Sequence, residues 1–304
     1  MKTYELQPTT DPNLFRVVDR NGDWTHYHHK PSDTYLRAVN FILSEGYAKP
    51  RLLHWAKNKT AEEIDKKLKE AGEKGDRVHQ AIRLIFENPG KFHRSITVYD
   101  DEVKSQVSLT NEDWDCLLSF ASFWSKHDPL LVDYEVSVCS LKEGYAGTLD
   151  ALLILTKACG VKTCPCEKTV GKLGIWDWKT SGAIYGDHGA QVAAYGKAES
   201  IKPYLQGLRL AYSAILRLGT AHTTTGGYQL EVYDRAESQT HYEEFLHAKG
   251  IQNASYKPFD PKTEIQEIPD EIELVIRKYE KPKPRAAAPQ RKAVKKVATI
   301  KGKR

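Results

Sequence analysis

The chain has 304 residues, 40% of them hydrophobic and 28% charged, with a formal net charge of +5. That suffices for one core domain with attachments. No apolar run reaches the roughly 18–20 residues of a membrane span, and the opening MKTYELQ lacks a secretory apolar stretch, so a soluble protein of the cytoplasm (a host's, if viral) is expected.

In chain order, Phe15 to His29 reads as a hairpin around Asn21-Gly22, followed by helical sequence up to Trp55. Residues 1–60 are expected to form an N-terminal appendage. Its histidines His26, His28 and His29 read as a polar hairpin edge rather than a metal cluster. Its Trp24, Tyr27, Tyr35, Tyr47, Arg51 and Trp55 combine aromatic and basic character, which suits base stacking as well as packing. Thr60-Ala61-Glu62-Glu63 is a capping box that opens a helix, and Thr110-Asn111-Glu112-Asp113 resembles another. A helix through His79, with Val78, Ile82, Ile85 and Phe86 on one face, is expected before a second around Trp114 to Trp124. Strands follow near 131–139, 145–155 and 173–179, then a helix carrying Gln191 and Tyr195. Strands near 207–216 and 227–234 and a helix around 240–249 complete a core over 61–256. Helices flanking a small mixed central sheet make an α/β fold. Beyond it lie an extension, 257–276, and a tail, 277–304.

The tail divides the charge. From Arg277 to Arg304 there are 12 Lys and Arg against one acid, Glu280, which leaves the remaining body with 33 basic and 39 acidic residues. Rich in Lys, Ala and Pro, the tail is too apolar-poor to fold alone and is expected to be a disordered tether for nucleic-acid phosphates.

The candidate chemistry lies between Glu135 and Tyr195. Asp177 and Lys179 are two apart on a short strand, so they share a face, while Trp176 and Trp178 pack on the other. Other acidic-x-Lys triplets, such as Asp65-Lys66-Lys67, sit in charged, solvated sequence. Asp150 interrupts an apolar strand, where a carboxylate is costly unless it is paired or binds a metal; an ion pair with Lys179 is the structural alternative. Gln191 and Tyr195 lie one helical turn apart on one face. Two carboxylates suit Mg²⁺, which takes oxygen ligands and keeps several waters. Cys159, Cys164 and Cys166 lie in the connection between the two strands, spaced C-x4-C-x-C. Three thiolates could hold a structural Zn²⁺ if a fourth ligand came from elsewhere, but standard zinc modules pair C-x2-C units, and free thiols are expected.

Taken together, these residues resemble the RecB-type nucleases of the PD-(D/E)XK superfamily, especially the exonuclease branch of phages and of mitochondrial genome maintenance. The resemblance covers about residues 75 to 235. It rests on Gly75 and His79 in GDRVH, Glu135 in YEVSV, Gly147 and Asp150 in GTLD, Asp177 and Lys179 in DWK, and Gln191 and Tyr195 in QVAAY. Leu149 precedes Asp150 where the superfamily name implies a proline; the branch often lacks it. The resemblance implies a metal-dependent DNA exonuclease of recombination, repair or replication that uses Mg²⁺, with Mn²⁺ able to substitute. It implies Asp150, Asp177 and the Trp178 carbonyl as metal ligands, with Glu135 and His79 joining them, His79 at a second metal. Lys179 would position or deprotonate the attacking water, and Gln191 and Tyr195 would contact the substrate backbone or order the metal site. DNA with free ends is the expected partner. The sequence has no G-x-x-x-x-G-K-[ST] loop, so any helicase or recombination partner is a separate chain. The rival readings are a superfamily endonuclease, restriction or junction-resolving, and a non-catalytic DNA-binding protein with a structural acidic cluster.

Overall fold

A computed structural model of the protein describes residues 4–19, 24–90, 92–100, 105–220 and 227–256. All of the core lies in the compact unit Met1–Gln266. The Asn21-Gly22 turn, the extension 257–276 and the tail 277–304 lie outside the described residues.

The architecture is mixed α/β, a central mixed sheet flanked by helices. The strands are β1 (Glu5–Pro8), β2 (Leu14–Val18), β3 (Trp24–His29), β4 (Thr34–Ala38), β5 (Thr97–Asp100), β6 (Ser105–Ser108), β7 (Pro129–Ser140), β8 (Tyr145–Leu155), β9 (Leu173–Lys179), β10 (Leu210–Arg217) and β11 (Gln229–Tyr233). The α-helices are α1 (Val39–Gly46), α2 (Pro50–Ala56), α3 (Ala61–Glu87), α4 (Asn111–His127), α5 (Gly186–Lys197) and α6 (Arg235–Ser255). Both expected capping boxes form: the Thr60 and Thr110 hydroxyls accept from the Glu63 and Asp113 amides, and those carboxylates accept in return from the cap amides. Each satisfies two backbone donors that the first helical turn would otherwise leave open.

The sheet is larger than expected. Nine strands join it in the order β1-β2-β3-β4-β8-β9-β10-β11, with β7 also on β8, and β5 and β6 form a separate hairpin. The boundary drawn at residue 60 does not hold as a break in the fold. Arg37 and Ala38 of β4 pair in parallel with Tyr145 and Ala146 of β8, and Arg37 donates to Gln252 and Asn253 of α6. The hairpin signal was legible, but nothing in the sequence announces a two-residue parallel ladder. Among the histidines, His26 and His28 are buried on a strand with neighbours on both sides, not on a polar edge.

The two faces of the sheet bury separate cores. On one, Val78 and Ile82 of α3 and Phe120 and Phe123 of α4 pack on Trp176 and Trp178, with Phe120 5.4 Å from Trp178 and Phe123 5.2 Å from Trp176. On the other, α1, α5 and α6 cover Leu149, Leu152, Ile175 and Ile215. α3 is amphipathic only in its second half: Val78, Ala81 and Ile82 are its buried residues. Its solvated first half carries pairs such as Lys67–Glu70 at 2.6 Å.

One topological detail positions the site. β7 occupies one edge of β8 along its whole length, from Ser140–Tyr145 to Pro129–Leu155. β4 and β9 must therefore share the other edge: β4 takes Tyr145 and Ala146, and β9 takes Ala151 to Ile154. Between them the edge of β8 is open from Gly147 to Asp150. β8 and β9 part just beyond the Ala151–Trp176 pair, so Asp150 and Asp177 stand at a fork.

Candidate active site at the strand fork

The backbone at the fork needs new partners once the ladder ends. The Trp178 amide donates to Asp150 Oδ2 at 2.6 Å, so Asp150 caps the break in the sheet with one oxygen. Its other oxygen, Oδ1, faces His79 Nδ1 at 3.1 Å. The second ring nitrogen, Nε2, lies 3.0 Å from the Trp178 carbonyl oxygen. Both partners are acceptors, so both ring nitrogens donate and the imidazole is cationic. Burial opposes that charge, but the Asp150 carboxylate and, more distantly, Asp177 outweigh it and push the His79 value up to about 9.

Asp177 is 2% exposed, and its Oδ2 pairs with Lys179 Nζ at 2.7 Å. Burial pushes its carboxyl up to about 6; Lys179 pulls against this and Asp150 adds to it. Lys179 Nζ also donates to Gln191 Oε1 at 2.8 Å, and Gln191 Nε2 donates to the Tyr195 hydroxyl at 2.9 Å. The expected pair on α5 therefore forms, and its observed contacts order Lys179. Tyr195, at 1% exposure, packs too deeply to offer much surface to a substrate. Gly147 makes room for it: a Cβ there would stand 2.4 Å from the Tyr195 ring. Gly75 has no such reason, since its nearest neighbour is Thr180 Oγ1 at 3.7 Å.

Glu135 is the residue whose sequence signal was weakest and whose structure is most unusual. It stands opposite Asp150, between the pairs Tyr134–Ala151 and Val136–Leu149. Its φ of +52° is left-handed backbone in mid-strand, a conformation costing about 1–2 kcal/mol for a side chain with a Cβ. Thr10 clamps the distortion: its hydroxyl donates to the Glu135 carbonyl at 2.8 Å and accepts from the Ser137 amide at 2.7 Å. Backbone strain of this kind clusters at functional sites. Burial pushes the Glu135 carboxyl up, with Asp150 adding to the effect.

These groups line an open cleft of about 1300 Å³. Its walls carry Arg16, Lys67, Lys74 and Arg83, none of which the sequence singled out, beside Glu70, Asp76 and Glu112, with Lys67 paired to Glu70 at 2.6 Å and Lys74 to Glu112 at 3.1 Å; Trp24 joins them, its ring 4.9 Å from the Arg16 guanidinium. Basic residues scattered over a hairpin and one helix leave no run to detect. Of the N-terminal aromatics, Trp24 alone is on this wall. Tyr27 is fully buried, Tyr35 stacks on His28 at 4.8 Å, and the Tyr47 hydroxyl donates to Glu244.

The cysteines of the β8–β9 connection also converge. Cys159, Cys164, Cys166 and His127 of α4 bring their ligand atoms within 4.8 Å of one another, an arrangement that could hold a metal ion. His127 had no sequence signal, because it lies far upstream of the cysteines. Comparison of the chain with protein-family models and with curated proteins finds no match, so the reading of the cleft stands on its geometry.

Proposed function

We propose that the protein is a metal-dependent DNA nuclease of the PD-(D/E)XK kind, working from DNA ends. One observation carries the proposal: two buried carboxylates, Asp150 and Asp177, meet at the fork of adjacent strands with Lys179 on the same face, in the lining of an open cleft. Buried carboxylates brought together at a cost are characteristic of metal and catalytic sites.

The donors fit a hard divalent cation. Asp150, Asp177, Glu135 and the Trp178 carbonyl offer oxygen, the preference of Mg²⁺, and His79 adds a nitrogen that Mn²⁺ accepts more readily. The charge of this cluster is offset within the protein by the His79 imidazolium and the Lys179 ammonium. A bound cation would supply Lewis-acid polarisation of the scissile phosphate and lower the pKa of a water. Lys179, held between Asp177 Oδ2 and Gln191 Oε1, would orient the attacking water and offset charge on the phosphate. His79, once deprotonated to solvent, would offer Nδ1 as a ligand beside Asp150. Arg16 and Arg83 would hold phosphates along the cleft, and Trp24 would stack a base at its rim.

The test is incubation with Mg²⁺ and matched linear and covalently closed circular DNA. The expected result is loss of the linear form and persistence of the circles. Rapid nicking of the circles would move the assignment to an endonuclease, and no hydrolysis of either form would overturn it.

A further inference from the structure

We propose that Cys159, Cys164, Cys166 and His127 form a tetrahedral zinc site that locks the β8–β9 connection onto the end of α4. This stands apart from the reading of the cleft, and its test does not depend on nuclease activity.

The distances select a single ion. Zinc–thiolate bonds of about 2.3 Å at tetrahedral angles place neighbouring sulfurs about 3.8 Å apart. Cys159 Sγ and Cys166 Sγ are 3.5 Å apart, and all four ligand atoms lie within 4.8 Å of one another. A disulfide would bring two sulfurs to about 2.05 Å and leave the other two groups without a common purpose. An iron–sulfur cluster would spread its ligands more widely around several metal atoms.

The surroundings are those of a ligand set. His127 is fully buried, and its Nδ1–H donates to the Lys157 carbonyl at 3.1 Å. That bond fixes the tautomer in which Nε2 carries the lone pair, the usual arrangement behind a metal-binding histidine. Nε2 accepts from the Tyr228 hydroxyl at 3.0 Å, a bond that zinc would replace. The Cys159 amide donates to Cys166 Sγ at 3.4 Å, a contact that favours a thiolate. The chain is bent to permit this: Gly160 takes φ +74°, and a short 3-10 helix, Pro165–Lys168, carries Cys166.

Backbone hydrogen bonds hold the connection at its two ends. The Thr156 and Lys157 amides donate to the His127 carbonyl at 3.2 and 3.0 Å, and the Gly171 amide donates to the Leu155 carbonyl at 2.8 Å. Zinc would close the loop between these contacts. It would thereby hold the register of β8 and β9, on which the approach of Asp150 to Asp177 depends.

The experiment is elemental analysis of the purified full-length protein, followed by exchange with Co²⁺ under reducing conditions. About one zinc per chain is expected, and the cobalt form should show thiolate charge-transfer bands in the near ultraviolet with tetrahedral visible bands. Cys164→Ser and His127→Ala should each weaken zinc binding beyond the roughly 10–100-fold that loss of a supporting residue produces. His127→Cys should restore it, which guards against misfolding as the cause. Cys116→Ser and Cys139→Ser, outside the cluster, should retain full zinc. Absence of zinc with no uptake by the reduced protein, stoichiometric iron, or a Cys159–Cys166 disulfide in the intact mass would each overturn the proposal.

Discussion

Replacing Asp177 by Asn is predicted to stabilise the ion-free protein. Asp177 is buried beside Asp150, and its carboxyl titrates near 6 rather than near its ordinary 3.8. A carboxyl that holds its proton more tightly when folded loses stability for the fold as pH rises from about 3.8 through about 6. At roughly 1.4 kcal/mol per pH unit, the ionised group costs up to about 3 kcal/mol near neutrality. Asn has nearly the same shape and no charge, so it removes this cost, while giving up the 2.7 Å pair with Lys179. A net gain of about 1–2 kcal/mol should remain, or roughly 2–8 °C in Tm for a domain of this size. Thermal unfolding in a chelator, near pH 7.5 and again near pH 5, measures it. The advantage should be clear at the higher pH and shrink at the lower, where the wild-type carboxyl is protonated. Saturating Mn²⁺ should then stabilise the wild type by about 2–3 kcal/mol at a hundredfold excess over Kd, and the variant far less. A variant that melts below the wild type near pH 7.5, or whose advantage is the same at both pH values, refutes the reasoning.

His79 should titrate near 9 in the ion-free protein, so its contribution to stability, complete below about 6.5, is lost as pH rises through about 9. Ring-nitrogen NMR shifts would show both nitrogens protonated at neutral pH, and a neutral ring there contradicts the assignment. Gly147→Ala should cost about 1–3 kcal/mol by overpacking against Tyr195, read as a lower denaturation midpoint, because the new methyl would stand 2.4 Å from the buried ring. Deleting residues 277–304 should weaken DNA binding and flatten its salt dependence, since each phosphate contact contributes about 0.9 to the slope of log K against log salt. Hydrolysis at saturating DNA should persist, and an unchanged salt titration would assign the tail another purpose.

Most of the fold was legible where one local rule dominates. The Thr60 and Thr110 caps located two helix starts, and the alternation of Trp176, Asp177, Trp178 and Lys179 separated the two tryptophans, which pack under α3 and α4, from the Asp177–Lys179 face. The nine-stranded sheet was not legible, because the pairing of Arg37 and Ala38 with Tyr145 and Ala146 is a long-range contact with no local signature. The same limit hid His127, joined to the cysteines only by the folding of α4 against the β8–β9 connection. The carboxylate at 135 was readable, but its left-handed backbone was not, since the Thr10 hydroxyl that holds it arrives from another strand's turn. For Tyr27 the sequence left base stacking and packing both open, because a buried aromatic and an exposed one look alike in a strand; the structure buries it.

The proposed function requires Asp150, Asp177 and Lys179 to act together with a divalent cation in DNA hydrolysis. The most direct measurement is single-turnover cleavage of end-labelled linear DNA by metal-stripped protein, titrated with Mg²⁺ and repeated for Asp150→Ala, Asp177→Ala and Lys179→Ala. No cleavage is expected in EDTA, and activation by Mg²⁺ should be saturable. Each variant should fall by at least about 10²–10⁴-fold, comparable to losing an acid–base or electrostatic group, with circular dichroism unchanged. Cleavage that persists in EDTA, or wild-type rates in Asp177→Ala, would contradict it.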